Sequence, residues 1–449
     1  MSARRFKRYP EYKDSGVEWL GQTPAHWRHE RLKYGVSKIG SGKTPSGGAD
    51  VYQNSGVMLI RSQNVHFDGL RLDDVAFIDA ATDASMANSR VVDGDVLLNI
   101  TGASLGRCCV ARIGSAHANV NQHVCAIRPR KGTFDPFFLS GCLSSNAGQA
   151  QVFESENGIS RDALTFHQIG DIVACSPPLD EQRSIVAFLG RETARIDALV
   201  AKKEYLIELL QEKRTALITR AVTKGLNPNV PLKDSGVEWI GEIPAHWSIE
   251  RIKWAARMES GHTPDKKVEA YWQGGAIPWI SLSDTGRLRK VDHIADTAVK
   301  TTPEGIANSS AHVLPIGTVV FSRDATIGLC AITRSEMAVS QHFIGWVCGP
   351  RLRPEYLLFV LRSMTWELDR RTMGATVRTI GMTDVRSLVT PIPPIHEQER
   401  IIHDVLRRRA QIDAILSKVS EAIDRLRELR TALISAAVTG KIDVREGVA

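Results

Sequence analysis

No stretch of the chain approaches the ~18 consecutive apolar residues that a bilayer-spanning helix requires, so no membrane span is expected. The basic N-terminus, MSARRFKRYPEYKDSG, is followed by no apolar segment and does not read as a signal peptide. Cysteine is scarce and unpatterned: Cys108, Cys109, Cys125, Cys142, Cys175, Cys330 and Cys348, an odd number with no CxxC. A disulfide framework and a zinc ribbon are both poor readings, and a reducing cytoplasm is the expected compartment. Charge of neither sign dominates. A net charge of +7 and a pI near 9.0 permit a polyanionic partner without demanding one. Hydrophobic residues at 43% and charged residues at 24% exclude wholesale disorder, and 449 residues allow two to four domains.

Catalytic signatures are also missing. The segment Gly40–Thr44 (GSGKT) suggests a phosphate loop, but that pattern needs glycine at position 37, which is Ser37. Pro45 follows, and a second copy of the segment reads Gly261-His262-Thr263, without the lysine. A nucleotide triphosphate site is therefore set aside. A Gly-rich turn is one reading; a loop whose Lys43 and backbone N–H groups approach a DNA phosphate is the other. Ser176-Pro177-Pro178-Leu179 resembles an adenine-methyltransferase motif but lacks its aromatic residue, and no cofactor loop precedes it. The paired prolines read instead as helix entries, with Glu181 and Glu397 in first turns that favour negative charge. There is no H-E-x-x-H or G-x-S-x-G, and the 13 histidines are scattered.

What the chain does contain is a duplication. KDSGVEWLGQTPAHW (13–27) returns as KDSGVEWIGEIPAHW (233–247), at an offset of 220 with 12 of 15 positions identical. Pro177–Gln182 (PPLDEQ) returns as Pro393–Gln398 (PPIHEQ), and the match continues through Ile196-Asp197 with Ile412-Asp413, then R-T-A-L-I at 214–218 and 430–434. Between these anchors only fragments align, such as SGKTP with SGHTP, or Asn121-Gln122-His123 with Ser340-Gln341-His342. Two frames stayed alike while two interiors drifted apart. A shared scaffold presenting two different recognition surfaces would leave that pattern, as would an old duplication constrained only by packing.

The interiors read as mixed α/β. Short β-like runs such as 57–60, 95–98 and 317–321 lie between Gly, Asn and Asp clusters, and Phe137 and Tyr356 follow prolines at expected helix starts. The segments after the double prolines carry heptads. Position a holds Leu189, Ile196, Lys203, Leu210 and Leu217 in the first and Val405, Ile412, Val419, Leu426 and Leu433 in the second. Position d is placed at Ile185, Glu192, Leu199, Leu206, Lys213 and Arg220, and at Ile401, Arg408, Ile415, Ala422, Leu429 and Ala436. Each would be a helix on the order of 50 Å long at ~1.5 Å per residue. Chain continuity puts the interiors near opposite ends of the first helix. The second helix must run back along it, with 13–27 beside its end and 233–247 beside the end of the first. The expected fold is α/β: two mixed α/β domains separated by two long helices forming an antiparallel coiled coil, with a pseudo-twofold internal repeat. The W-(L/I)-G-x-x-P-A-H-W element places two tryptophans around a proline turn, and a hydrophobic latch onto the helices is favoured over a docking site for another protein.

The twin K-D-S-G-V-E-W elements, the two variable interiors and the twin P-P-x-x-E-Q helices ending in R-T-A-L-I resemble the specificity subunit of type I restriction-modification systems, over nearly the whole chain. The resemblance implies target recognition domains at 28–178 and 248–394, a frame segment at 1–27, helices at 179–226 and 395–442, and a linker with the repeated frame at 227–247. It implies a chain without catalytic role that reads a split sequence in double-stranded DNA, one domain per half, with the coiled coil fixing the spacing. Two methyltransferase subunits, binding S-adenosylmethionine, and restriction subunits, using ATP with Mg2+, would be its partners, and it would bind none of those cofactors itself. The rival from another class is a structural dumbbell that scaffolds proteins and never touches DNA. A steep salt dependence of DNA binding separates the two.

Candidate DNA-contacting residues are loop positions matched between the copies. The first set is Lys43 and Thr44 with His262 and Thr263. The second is Arg61, Ser62, Gln63 and Asn64 with Ser281, Ser283 and Asp284, where Arg and the amides suit the edges of G and A. The third is Asn99, Thr101 and Arg107 with Arg323 and Thr326, and Arg378 joins them as a loop cation. A solvated surface role is the alternative for each.

Overall fold

The structure, a computed structural model, describes residues 6–156, 163–372 and 378–445. It divides into two units, Met1–Glu204 with Ser420–Ala449, and Tyr205–Val419. Among the described residues no helix is long and apolar enough to cross a membrane.

The first unit begins with a hairpin, β1 (Tyr12–Asp14) against β2 (Gln22–Pro24). Its turn explains the D-S-G motif: Asp14 Oδ1 accepts from the N–H of Gly16, whose φ of +70° suits glycine. The chain enters the interior on β3 (Arg28–Arg31) and β4 (Val36–Ser41), followed by β5 (Val57–Ile60), β6 (Val96–Asn99), β7 (Cys108–Val110), β8 (Ala118–Val120), β9 (Val124–Pro129) and α1 (Pro136–Ser144). It leaves on β10 (Val173–Ser176), which pairs antiparallel with β3. A four-stranded sheet runs β7-β6-β9-β4, and a second sheet pairs β5 in parallel with β8. Strand β6 is buried on both faces, as its unbroken apolar run requires. Val96 and Leu98 pack with Phe138 and Leu139 of α1, while Leu97 packs with Ile60 and Val120 of the second sheet.

The long helix α2 (Leu179–Lys224) follows. In the second unit the plan returns. Hairpin β11 (Leu232–Asp234) and β12 (Glu242–Pro244) leads to β13 (Ser248–Arg251), β14 (Ala256–Ser260), β15 (Ile277–Ile280), β16 (Val319–Ser322), β17 (Cys330–Thr333), β18 (Ala338–Val339), β19 (Phe343–Cys348), α3 (Pro354–Ser363) and β20 (Val389–Ile392). Strand β20 pairs with β13, β15 pairs in parallel with β18, and Phe321 packs with Phe359 of α3 while Val320 faces Ile280 and Val339. The expected helix starts at Phe137 and Tyr356 are α1 and α3, each opened by a proline.

Within each unit a stretch of α2 packs against a stretch of α4 (Ile395–Val438) running the other way. In the first unit Arg430 meets Asp197 at 3.0 Å and Arg427 meets Glu204 at 2.9 Å; in the second, Arg214 meets Asp413 at 3.0 Å. The Arg430–Asp197 and Arg214–Asp413 pairs join the repeated I-D to the repeated R-T-A-L-I. The heptad positions labelled a lie in the seam: Leu189, Ile196, Val405, Ile412, Val419 and Leu433 are all buried. The second stripe begins as assigned, with Ile185 and Ile401 buried, but farther along the helices it lies one residue later. Leu206, Ile415 and Leu429 are 40%, 46% and 53% exposed, and Lys213 and Arg220 are exposed too. Ile423 and Ala437 are buried instead, and Arg214 and Arg430 reach their aspartates from that same stripe. The reason is local: Ile415-Leu416, Ala422-Ile423 and Ala436-Ala437 offer two adjacent apolar stripes, and apolar counting cannot choose between them.

The frame hairpins cap the helices as expected. Tyr12 donates to the Gly440 carbonyl at 3.0 Å and Lys441 Nζ to those of Leu20 and Gln22. A Cβ on Gly440 would lie 2.3 Å from Pro24, and one on Gly225 would lie 3.1 Å from Trp247, so both helix ends need glycine with φ of +70°.

Candidate nucleic-acid interface

The P-P-x-x-E-Q motif fastens each interior to its helix. Gln182, fully buried, donates from Nε2 to the carbonyls of Thr133 and Pro177 and accepts the Asp135 N–H at Oε1. Gln398 does the same with Arg351, Pro393 and Arg353. The preceding glutamate takes the hairpin: Glu181 accepts from Trp27 Nε1 at 3.0 Å and bonds His26 at 2.9 Å, and Glu397 holds Trp247 and His246 at 2.9 and 2.7 Å. At Glu397 burial opposes ionisation, but hydrogen bonds from Trp247 and His246 outweigh it and hold the carboxyl below the ordinary glutamate range. Trp27 and Trp247 are thus the latch; Trp19, 37% exposed, is not.

On this frame, matched loops converge. In the first unit the turn 121–123 is the hub. Gly42 N–H donates to the Asn121 carbonyl at 3.1 Å, Asn121 N–H to that of Ile60 at 3.1 Å, and Ile100 N–H to that of His123 at 3.0 Å. Thr101 Oγ1 bonds His123 Nδ1 at 2.6 Å, and Asn99 Nδ2 donates to the Ser62 carbonyl at 2.8 Å. The three predicted sets therefore lie around one turn. In the second unit 340–342 is the hub. His262 N–H donates to the Val339 carbonyl at 3.1 Å, Ser340 N–H to that of Ile280 at 2.8 Å, and Arg323 N–H to that of His342 at 2.9 Å. Thr263 bonds Gln341, and the Ala325 N–H reaches the Arg378 carbonyl at 2.8 Å. His342 Nδ1 lies 2.8 Å from Asp324 Oδ2, and its Nε2 faces the Gln341 amide at 3.3 Å.

The glycine of SGxTP is needed for this convergence. A Cβ on Gly42 would lie 1.6 Å from the Val120 carbonyl, and one on Gly261 would lie 2.2 Å from that of Ser340. The N–H groups of Gly42 and His262 are committed inside the protein and are not free for a phosphate, while the side chains of Lys43, Thr44 and His262 are exposed.

Not every predicted residue faces outward. Asn64 is fully buried, its Oδ1 on the Arg61 N–H and its Nδ2 on Arg71 and Asp74. Asp284, 2% exposed, accepts from Ser281 and Ala298 N–H groups. Both shape loops rather than reach a ligand; Asn99 holds Ser62 and Ser104 through Nδ2, while its buried Oδ1 has no partner among the described residues. Arg61 and Gln63 donate to Asp74, and Arg378 pairs with Asp369 at 2.6 Å. Arg323 donates to the Ile380 carbonyl, and Thr326 Oγ1 is buried. Ser62 and Ser283 lie on the same turns, with Ser283 bonded to Ser281 at 2.7 Å. The Arg107 guanidinium has no partner among the described residues. Prediction passed over Gln122, His123, Gln341 and His342; the Q-H pair shared by the two copies was the available signal. Ala325, at φ +59°, stands where the first unit has Gly102 at φ +69°, so this turn is left-handed in both units. Among the described residues no group of three or more His, Cys, Asp or Glu could hold a metal.

Two α/β units with one polar loop cluster on each repeated frame define a modular protein with two separate candidate contact surfaces. The model of the type I restriction modification DNA specificity domain matches residues 244–423. The MjaIX type I restriction enzyme specificity subunit of Methanocaldococcus jannaschii is 27% identical over 189 residues, covering 40% of this chain and 43% of that one. A putative MjaX specificity subunit of the same organism is 19% identical over 435 residues, covering 95% and 96%. A solved chain from work on complex assembly and conformational transition of the type I R-M system superposes with a TM-score of 0.68 at 18% identity, covering 93% and 98%. Residues 244–423 thus match the specificity-domain family, and nearly the whole chain is similar to type I restriction enzyme specificity subunits.

Proposed function

We propose that the chain reads an asymmetric, bipartite site in double-stranded DNA, with residues 28–178 contacting one half and residues 248–394 the other. The supporting observation is the convergence of matched loops on 121–123 and 340–342 upon frames that are nearly identical, while the loop residues differ. Identical mounting with different side chains is what two independent readers of different half-sites need. Within the proposal, Lys43, Thr44, Arg107, Gln122 and His123 face the first half-site, and His262, Thr263, Ser283, Gln341 and Arg378 the second. The paired helices act as an antiparallel coiled coil in a pseudo-twofold repeat and set the spacer. Two methyltransferase subunits carrying S-adenosylmethionine, and restriction subunits using ATP with Mg2+, are held by this chain and supply the chemistry.

The test is a swap. Residues 28–178 are replaced by the equivalent segment of another family member, and methylated adenines are mapped in cells carrying the full complex. One half of the methylated sequence should change while the other stays. Change in both halves, or in neither, would show that the domains do not read independently.

A further inference from the structure

The second unit holds a cavity of about 560 Å³ beside the 340–342 turn. Trp272 and Trp279 form a wall, their ring centroids 5.0 Å apart and their planes inclined at 71°. Both indole N–H groups are engaged within the protein, Trp272 on the Asp265 carbonyl and Trp279 on that of His262, so the indoles offer the cavity ring surface alone. Ser340 also lines it. That residue is 1% exposed, and its hydroxyl has no hydrogen-bond partner among the described residues. An unpartnered buried hydroxyl is destabilising by itself, and a ligand atom would satisfy it. Ser281 and Gln341 add further polar atoms, and Lys266 brings a cation to the lining.

The first unit keeps the glutamine, as Gln122, but differs at the wall and at the buried hydroxyl. Leu59 stands in the place of Trp279, and the Arg61 guanidinium lies over the Tyr52 ring at 5.6 Å. Asn121, in the place of Ser340, accepts the His123 N–H at 3.1 Å.

We propose that this cavity binds a single unpaired nucleobase, stacked on Trp272 and hydrogen-bonded to Ser340, with Lys266 beside its phosphate. The volume lies within the range of small-molecule sites, and an aromatic face accepts any base. The assignment rests on the DNA-reading proposal, because the cavity opens among the loops given that role. A free mononucleotide has the same chemistry, so the experiment has two arms. The full chain is titrated with the four deoxynucleoside monophosphates, followed by tryptophan fluorescence. It is also titrated with the bipartite duplex identified by methylation mapping, in which each position of the half-site read by 248–394 is left unpaired in turn.

One unpaired position should bind at least about tenfold more tightly than the paired duplex, because the cost of unpairing is already met. Trp272→Ala should abolish that gain and Trp272→Phe retain it. Ser340→Ala should reduce the gain severalfold while the melting temperature holds or rises, since the hydroxyl has no protein partner to lose. If mononucleotides quench the wild type but not Trp272→Ala, and no position in DNA shows a gain, the base comes from a free nucleotide and the site stands. If the duplex binds and neither ligand responds to Trp272→Ala, the cavity is not a base site. If the duplex is not bound at all, the DNA reading has failed, and the mononucleotide arm alone decides the cavity.

Discussion

The indole N–H of Trp27 donates to Glu181 Oε1 across 3.0 Å, and the matching Trp247 donates to Glu397 Oε2 across 2.9 Å. This pair explains why a tryptophan and a glutamate recur in motifs some 150 residues apart: one ends the frame hairpin and the other opens the long helix. Trp27→Phe keeps most of the ring but removes the donor from a carboxylate that is 7% exposed. The expected cost is about 1.5–3 kcal/mol, as for hydrogen bonds to charged groups. Urea unfolding should show a lower midpoint at an unchanged slope. An unchanged midpoint would remove the clasp from the account.

The position of the helix seam is tested by two leucines one turn apart. Leu433 is 7% exposed and Leu429 is 53% exposed, although the heptad assignment put both in the seam. Leu433→Ala should destabilise by about 2–5 kcal/mol. Leu429→Ala should stay within roughly 0.5–1 kcal/mol. Equal effects would restore the assigned stripe.

Lys43 and Asn64 were both DNA-contact candidates, and the structure separates them. Under the DNA-reading proposal, Lys43→Ala should weaken binding across sequences and reduce the salt slope by about one unit. Asn64→Ala should instead lower stability by about 1–3 kcal/mol, because it strands the groups that Asn64 satisfies, with no altered base preference. A changed half-site sequence in Asn64→Ala would place that residue back among the readers.

Asp292 fixes the interior of the second unit to its long helix, through Arg362 on α3 and Arg409 on α4. Burial opposes its charge, but hydrogen bonds from Arg409 and Arg362, with their positive charge, win and hold the carboxyl below its ordinary value of 3.8. A depressed folded value means stabilisation that is complete above that ordinary value and is lost as pH falls through the folded one. Wild-type stability should therefore fall below about pH 4. Asp292→Asn should be less stable at pH 7 and lose less on acidification. A mutant with the same acid profile as the wild type would show that Asp292 is not a source of this pH dependence.

Much of this was legible in the sequence, for identifiable reasons. The helix-opening prolines, the glutamate at the first turn and the a positions of the helices follow from local rules of capping and periodicity, and internal duplication exposed the frames without any relative for comparison. The role of Gln182 and Gln398, the choice between Ile415 and Leu416 at the seam, and the burial of Asn64 and Asp284 were decided only in three dimensions. Each depends on which group from a distant segment arrives opposite, and a side chain that can either meet a ligand or satisfy its own loop looks the same in sequence. The hub turns at 121–123 and 340–342 show the same limit: their Q-H pair was visible, but the strands that bring Gly42, Ile60 and Ile100, or His262, Ile280 and Arg323, onto them were not.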